Sequence, residues 1–171
     1  MIVLGLDPGT RHFGWGVVER VGTRLVHRAH GIVHSSEKLS IAERLVGIEL
    51  ALQAVLEAHT PTVASCEAIF YAKDPQAAAK LGHARGVGLL VCARAGLAVF
   101  EYPPATVKRA VAGHGRAEKS QVAMMVKVVL GLSAPPEADA ADALALAVTH
   151  LQHMPLLAAQ ARPGIRGVPR G

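Results

Sequence analysis

The sequence predicts a single α/β domain built on a mixed sheet. Short apolar runs that stop at turn residues precede longer segments whose apolar residues recur at helical spacing, which is typical of this class. The 171 residues, 51% of them hydrophobic, are enough to bury one ordinary core. We therefore expect one domain over residues 1–155 and a disordered basic tail over residues 156–171.

The first three predicted strands form an antiparallel meander. Residues 2–6 are an apolar run that stops before a Pro-Gly turn, so Asp7 lies at a strand end. The next two runs cover about residues 13–19 and 25–33. The glycine-containing segment 21–23 between them favours a hairpin turn.

A helix and a fourth strand follow the meander. Apolar residues recur at helical spacing from Ser40 to about residue 58, and Ser40 with Glu43 predicts a capping box at the helix start. Residues 63–67 then favour a strand of β-branched and small residues that ends at Glu67. A second carboxylate therefore lies at a strand end.

The next predicted helix, over residues 76–95, is unusual for its glycines. Gly82 and Gly86 share a face with Ala79 at spacings of three and four. An interior glycine costs about 1 kcal/mol relative to alanine. Their presence, with Gly88, predicts close packing of this helix against a sheet or against a partner helix.

One strand and three helices complete the prediction. Residues 98–102 favour the last strand, and two prolines at 103–104 open a short helix. A helix over about residues 122–130 has the clearest periodicity in the chain. The last helix is expected to begin near Glu137 and to end near Pro155.

Composition narrows the classes of function. A net charge of +5 and a pI near 9.6 favour a polyanionic partner such as nucleic acid. No apolar run approaches the roughly 20 residues that cross a bilayer. Cys66 and Cys92 lie in apolar sequence without a CxxC motif, which predicts reduced core residues of a cytoplasmic protein.

His150 and His153 have a spacing that can bind metal, but near a helix C-terminus they are expected to complement the helix dipole.

The chain has only four aspartates, and three of them lie in apolar or alanine-rich sequence. Each has an ordinary explanation when taken alone. Asp7 before Pro-Gly can form a turn, and Asp139 or Asp142 can cap a helix or favour its dipole. Glu67 alone can be a solvated residue at a strand end.

Together these carboxylates indicate a metal site. Strand ends and a helix N-terminus lie close in an α/β fold, so the four can converge, and they then repel one another unless cations neutralise them. Oxygen ligands without a cysteine cluster select Mg²⁺ or Mn²⁺. Two such ions about 4 Å apart are the usual device for phosphodiester cleavage.

Five segments, in order along residues 1–153, point to one family. They read GLDPGT with GWGV (5–10 and 14–17), CEAIF (66–70), KLGHARGV (80–87), AEKSQV (117–122) and ADAADALA (138–145). On these segments the chain resembles the RuvC family of crossover-junction endonucleases. The resemblance implies an RNase H-like fold, in which helices flank a five-stranded mixed sheet.

The resemblance also implies the reaction and the partners. The substrate would be a four-way DNA (Holliday) junction, cut symmetrically by a homodimer with one active site per subunit. The nicks would carry 5′-phosphate and 3′-hydroxyl ends. A RuvA–RuvB branch-migration complex would act with the enzyme.

The resemblance implies four catalytic and metal-binding carboxylates, Asp7, Glu67, Asp139 and Asp142. Some relatives have histidine at the position of Asp139, whereas this chain has aspartate at both positions of the final pair. The expected cofactor is Mg²⁺, with Mn²⁺ as a substitute and two ions per subunit. In this hypothesis Asp7 bridges both ions, Glu67 holds one and the aspartate pair holds the other.

DNA contacts are predicted in two groups. The resemblance implies a base-stacking role for Phe70, in a loop with Lys73, and a role near the scissile phosphate for Lys108 and Lys119; the alternative for Phe70 is a place in the core. Six basic residues are further candidate phosphate contacts: Arg11, Lys73, Lys80, Arg85, Arg109 and Arg116.

Two other functions remain as alternatives. A strand that ends in Gly-x-Asp-x-Gly-Thr also opens the phosphate loop of actin-like ATPases and sugar kinases, but 171 residues leave no room for their two lobes. A non-catalytic junction-binding protein with a decayed site is the second alternative. The intact set of four carboxylates argues against it.

Overall fold

A five-stranded mixed sheet forms the centre of the molecule. The computed structural model of the chain describes residues 1–68 and 75–160, with side chains to residue 154. The strands are β1 (Ile2–Asp7), β2 (His12–Val21), β3 (Arg24–His34), β4 (Val63–Glu67) and β5 (Val99–Tyr102). Their order is β3-β2-β1-β4-β5, with β1–β2 and β2–β3 antiparallel and the other two pairs parallel. The predicted mixed sheet with an N-terminal meander is confirmed.

Five helices flank the sheet within the described residues. They are α1 (Ile41–His59), α2 (Pro75–Arg94), α3 (Pro104–Ala112), α4 (Lys119–Leu130) and α5 (Ala138–Gln160). The predicted capping box at the start of α1 is present, with the Ser40 hydroxyl accepting from the Glu43 amide. None of these helices has the length and apolarity that a membrane span requires.

The alternation of side chains along the strands divides the core into two layers. Leu4, Leu6 and Phe13 face α1 and α2, whereas Val3 and Val18 face α3, α4 and α5. All five of these side chains are at most 1% exposed. The two cysteines are buried and unpaired, as predicted.

Glycines let α5 lie directly on the sheet. A Cβ at Gly5 would overlap the carbonyl oxygen of Ala143 and would lie 2.9 Å from its carbonyl carbon. Gly16 is the cross-strand partner of Gly5, and a Cβ there would lie 2.7 Å from the Leu144 side chain. The helix backbone therefore approaches the strands without an intervening layer of side chains.

The predicted end of the last helix near Pro155 is wrong, because α5 continues to Gln160. A proline inside a helix leaves the carbonyl four residues earlier without its amide donor. Here that carbonyl belongs to Leu151, and the Arg20 guanidinium donates to it. The rest of the predicted tail, residues 161–171, lies outside the described residues, and the boundary between domain and tail stays a prediction.

The longer helix also changes the role of His150. The ring is fully buried inside α5 rather than near its end, and Nδ1 shares a hydrogen bond of 2.8 Å with the Tyr102 hydroxyl. Burial, followed by the nearby His153, lowers the pKa of His150. The predicted role of this histidine at a helix C-terminus is therefore wrong.

Of the two predicted alternatives for α2, close packing on the sheet is seen at only one of its three glycines. A Cβ at Gly88 would lie 3.2 Å from Cζ of Phe13, so this residue packs on the sheet. A Cβ at Gly82 or Gly86 would meet nothing within 4 Å in the described part of the chain. The sheet therefore does not explain the latter two glycines.

Gly5→Ala tests the contact between α5 and the sheet. The new methyl group would meet backbone atoms that no side-chain rotation can relieve, so we expect a loss of about 3 kcal/mol in the free energy of unfolding. Gly47→Ala in α1 is the matched control, since its Cβ meets nothing within 4 Å. It should gain up to about 1 kcal/mol from helix propensity. Equal denaturant midpoints for Gly5→Ala and the native chain would contradict the packing described.

Candidate active site

Two carboxylates lie side by side at one edge of the sheet. Asp7 is the last residue of β1 and Glu67 is the last residue of β4. These strands are parallel neighbours with Leu6 opposite Cys66, so their C-terminal ends meet at the same edge. The prediction that both carboxylates mark strand ends is confirmed.

The start of α5 brings two more carboxylates to this edge. Asp139 lies in the first turn of the helix, and Asp142 follows one turn later on the same face. Gly14 is the cross-strand partner of Asp7, and a Cβ at Gly14 would lie 2.5 Å from the carbonyl carbon of Asp139. The absence of a side chain at Gly14 therefore seats the helix start beside Asp7.

A cleft of about 260 Å³ opens where these elements meet. It is lined by three carboxylates, two lysines and four apolar residues: Asp7, Glu67, Asp142, Lys108, Lys119, Pro104, Val107, Val122 and Leu146. Five predicted site residues thus lie in one cleft. Asp139 lies outside this lining, yet its charge acts on Asp7.

The charged form of Asp7 has a large electrostatic cost. Burial raises its pKa from 3.8 to about 7, and the charges of Asp142, Asp139 and then Glu67 add to the effect. Lys119 acts in the opposite direction without cancelling it. Ionisation of Asp7 therefore lowers the stability of the folded protein unless a further cation lies beside it.

Glu67 and Lys119 show the same excess of negative charge. Burial and then Asp142 raise the pKa of Glu67, against the lowering effects of Lys119, Lys108 and Arg85. The Lys119 ammonium donates to Oδ2 of Asp142 at 2.7 Å, and this hydrogen bond raises the pKa of the lysine. Lys119 is therefore the principal cation of the cleft.

The donor chemistry of the cleft fits a hard divalent cation. Carboxylate oxygens converge there, the described lining includes no histidine or cysteine, and the charge of the largely buried Asp7 is incompletely balanced. As the side chains stand, no three such acids in the described ranges are arranged to hold one ion, and Asp142 is bound to Lys119. A cation bound by Asp142 would compete with Lys119 for this carboxylate.

The structure contradicts the predicted phosphate contact at Arg85. This side chain is only 7% exposed, and its guanidinium is engaged by the Glu67 carbonyl and by Glu101. Sequence reasoning missed the role of Glu101, although a lone acid in the apolar strand 98–102 was a signal for a specific partner.

The remaining predicted DNA contacts stay predictions. Phe70 and Lys73 lie outside the described residues. Lys80, Arg109 and Arg116 have exposed side chains. The side chain of Arg11 is exposed as well, and it forms an ion pair with Glu37.

A mixed sheet of this order, with strand-end and helix carboxylates in a cleft flanked by lysines, defines a nuclease of the RNase H-like fold. The family model for crossover junction endodeoxyribonuclease RuvC matches residues 3–150. The chain belongs to the RuvC family of crossover junction endodeoxyribonucleases, and nucleases of this family depend on metal ions.

Individual relatives agree with this assignment. The chain is 54% identical over 164 residues to the crossover junction endodeoxyribonuclease RuvC of Sorangium cellulosum, covering 96% of this chain and 92% of that protein. The T. thermophilus RuvC solved with a Holliday junction substrate is 37% identical with a TM-score of 0.86, covering 91% of this chain and 96% of that one. A yeast mitochondrial Holliday junction resolvase, 13% identical, shares the fold with a TM-score of 0.62 over 92% of this chain and 83% of that one.

Asp7→Asn should stabilise the metal-free protein. Because the folded pKa of Asp7 is about 7 and the reference value is 3.8, the folded state binds more protons between these pH values, and stability falls as the pH rises through them. A neutral asparagine removes this cost, so we expect a gain of roughly 1 to 3 kcal/mol at about pH 8 and little gain near pH 4.

Denaturant titrations at both pH values, with chelator present, measure this difference. Glu57→Gln on α1 replaces an exposed acid and should change stability by less than about 0.5 kcal/mol. A variant at position 7 that is no more stable than the native chain at the higher pH would contradict the electrostatic account of Asp7.

Proposed function

We propose that the protein resolves four-way DNA junctions in homologous recombination and DNA repair by paired, symmetric nicks. Each active site would hydrolyse one phosphodiester bond and leave 5′-phosphate and 3′-hydroxyl ends. The observation that carries the proposal is the convergence of Asp7, Glu67 and Asp142 in one cleft, with Asp139 beside them, in a chain of the RuvC family. The relative solved with a Holliday junction covers nearly the whole chain.

The proposed cofactor is Mg²⁺, with two ions per subunit and Mn²⁺ as a substitute. Asp7, Glu67, Asp139 and Asp142 would hold the ions, and two divalent cations would balance the four carboxylates. The chemistry that ions supply in such a site is activation of a water molecule and stabilisation of the leaving oxygen. The pKa of about 7 at Asp7 supports this assignment, because it reflects a carboxylate that is desolvated by burial and lies beside other carboxylates.

The lysines of the cleft have a separate part in the mechanism. If Asp142 held a cation and released Lys119, the lysine ammonium would be free to donate to a phosphate oxygen, and Lys108 offers a second donor in the same cleft. Val107 and Val122 form an apolar wall that limits water and strengthens these charged contacts. The chain thus binds and orients the scissile phosphate.

Further DNA contacts are proposed around the cleft. Phe70 follows Glu67 by three residues and would stack on a base, while Lys73 and Arg116 would contact phosphates. The net charge of +5 supports binding of a polyanion.

A homodimer is proposed because paired nicks require two active sites. One face of α2 supports it: Ala79, Gly82, Gly86 and Leu90 recur at spacings of three and four, and all are exposed. Glycines cost helix stability, so their presence on an open face favours close approach by another backbone. We expect the α2 helices of two copies to meet there.

Two further parts of the proposal rest on family membership. They are cooperation with a RuvA–RuvB complex and a cytoplasmic location.

A cleavage assay on a synthetic four-way junction with mapped cut sites tests the proposed reaction. The native protein should nick two strands of like polarity symmetrically, and only with Mg²⁺ or Mn²⁺ present. Asp7→Asn and Glu67→Gln should cut at least about 100-fold more slowly, because loss of even an outer partner of a metal ligand costs 10- to 100-fold. Junction affinity in chelator should stay within about threefold of the native value. Normal cutting by either variant would refute the assigned site.

Gly86→Glu tests the dimer. The added carboxylates would face each other across the proposed contact of the two α2 helices, so the variant should sediment as a monomer and cut junctions without pairing the two nicks. Gly47→Glu introduces the same change at an open glycine of α1 and should sediment like the native protein. A monomeric native protein, or a Gly86→Glu variant that remains dimeric, would contradict the proposed interface.

A further inference from the structure

Among the lysines, arginines, aspartates and glutamates whose side chains the structure describes, Arg85 has the lowest solvent exposure, at 7%. Burying a guanidinium is unfavourable unless its charge is paired and its donors are used. It lies on α2, on the sheet face opposite α5, and does not line the cleft. Its burial therefore calls for an explanation other than DNA binding.

The two ends of the guanidinium reach two strands. Nη1 donates to the backbone carbonyl of Glu67 at 2.6 Å, and Nη2 pairs with Oε1 of Glu101 at 2.7 Å. Glu101 is the β5 residue opposite Cys66, the residue that precedes Glu67. Arg85 therefore ties α2 to the ends of β4 and β5 through one planar group.

The alternation of β4 shows why the Glu67 carbonyl needs this donor. The backbone amide of Ala64 donates to the carbonyl of Ala98, on the β5 side. The even-numbered residues of β4 therefore direct their backbone N–H and C=O groups toward β5. The odd-numbered residues, including Glu67, direct theirs toward β1. The Ala68 amide follows the same rule and bonds to the Tyr102 carbonyl at 2.9 Å.

On the β1 side, the donor that the ladder requires is missing. With Leu6 opposite Cys66, the amide that would continue the ladder to the Glu67 carbonyl belongs to residue 8. Residue 8 is proline, which has no N–H. The guanidinium of Arg85 supplies the hydrogen bond that Pro8 cannot make.

We propose that Arg85 is a positioning residue for the nuclease reaction: its bond to the Glu67 carbonyl fixes the end of β4, so that the Glu67 carboxylate faces the cleft beside Asp7. The inference rests on the metal-binding role proposed for Glu67. Glu101 holds the guanidinium in the orientation that reaches β4. Loss of Arg85 leaves the Glu67 carbonyl without a donor and frees the backbone that carries the carboxylate.

Arg85→Met tests the proposal in the full-length protein. Calorimetric titration with Mn²⁺ in the absence of DNA should show metal affinity about 10- to 100-fold weaker, as expected for a residue that orients a metal ligand. Cleavage should need a correspondingly higher Mg²⁺ concentration. Junction affinity in chelator should stay within about threefold, because the buried side chain reaches no phosphate. This split between metal affinity and DNA affinity separates positioning from a general loss of structure.

Two further variants complete the design. Arg85→Lys keeps one donor for the Glu67 carbonyl, and it should recover part of the Mn²⁺ affinity and remain informative if Arg85→Met folds poorly. Arg44→Met is the matched control, because Arg44 also donates to backbone carbonyls, those of Leu39 and Glu37, but on α1 away from the cleft. Arg44→Met should leave both affinities unchanged.

Three outcomes would overturn the inference. They are native Mn²⁺ affinity in Arg85→Met, a loss of junction affinity with metal affinity intact, and a loss of Mn²⁺ affinity in Arg44→Met equal to that in Arg85→Met. The Glu67→Gln variant, assayed in parallel, distinguishes failure of the positioning role of Arg85 from failure of the proposed function. If Glu67→Gln is inactive while Arg85→Met is normal, only the positioning role is refuted. If Glu67→Gln cuts normally, the metal site itself is refuted.

Discussion

The contact of α5 with the glycines of β1 and β2 is the constraint on which the rest of the structure depends. Gly5, Gly14 and Gly16 leave no room for a side chain between strand and helix, so the helix backbone rests on the sheet. Asp139 and Asp142 are carried by the first turns of that helix. Any thicker layer of side chains would hold these two carboxylates away from Asp7, and the site would lose two of its four carboxylates.

The same contact creates an electrostatic burden. Burial of Asp7 at the end of β1, together with the neighbouring carboxylates, raises its pKa to about 7, which is unfavourable for a metal-free folded chain at neutral pH. The folded protein withstands this electrostatic cost because the two apolar layers on the faces of the sheet stabilise the strands and helices in place. Functional sites of this kind retain local conflicts that the surrounding core offsets.

Local patterns in the sequence predicted the strands, the antiparallel meander and the strand-end positions of Asp7 and Glu67, because side-chain period and turn chemistry are encoded locally. Contacts between distant residues were not predictable in this way. Arg20 donates to Leu151, 131 residues away, and this bond accompanies the continuation of α5 past Pro155. Arg85 was expected at a phosphate, since nothing near it in sequence shows that the Glu67 carbonyl lacks a donor.

The pairing of Arg85 with the gap left by Pro8 has a consequence for the entropy of the active-site turn. A proline directly after Asp7 restricts the unfolded chain and so reduces the entropy lost when the turn forms. A proline at this position, which has no N–H, would normally leave a carbonyl of the neighbouring strand without a donor. A side chain from a distant helix supplies the missing bond. The turn that follows Asp7 thus gains the stiffness of a proline, while the Glu67 carbonyl at the sheet edge keeps a hydrogen-bond donor.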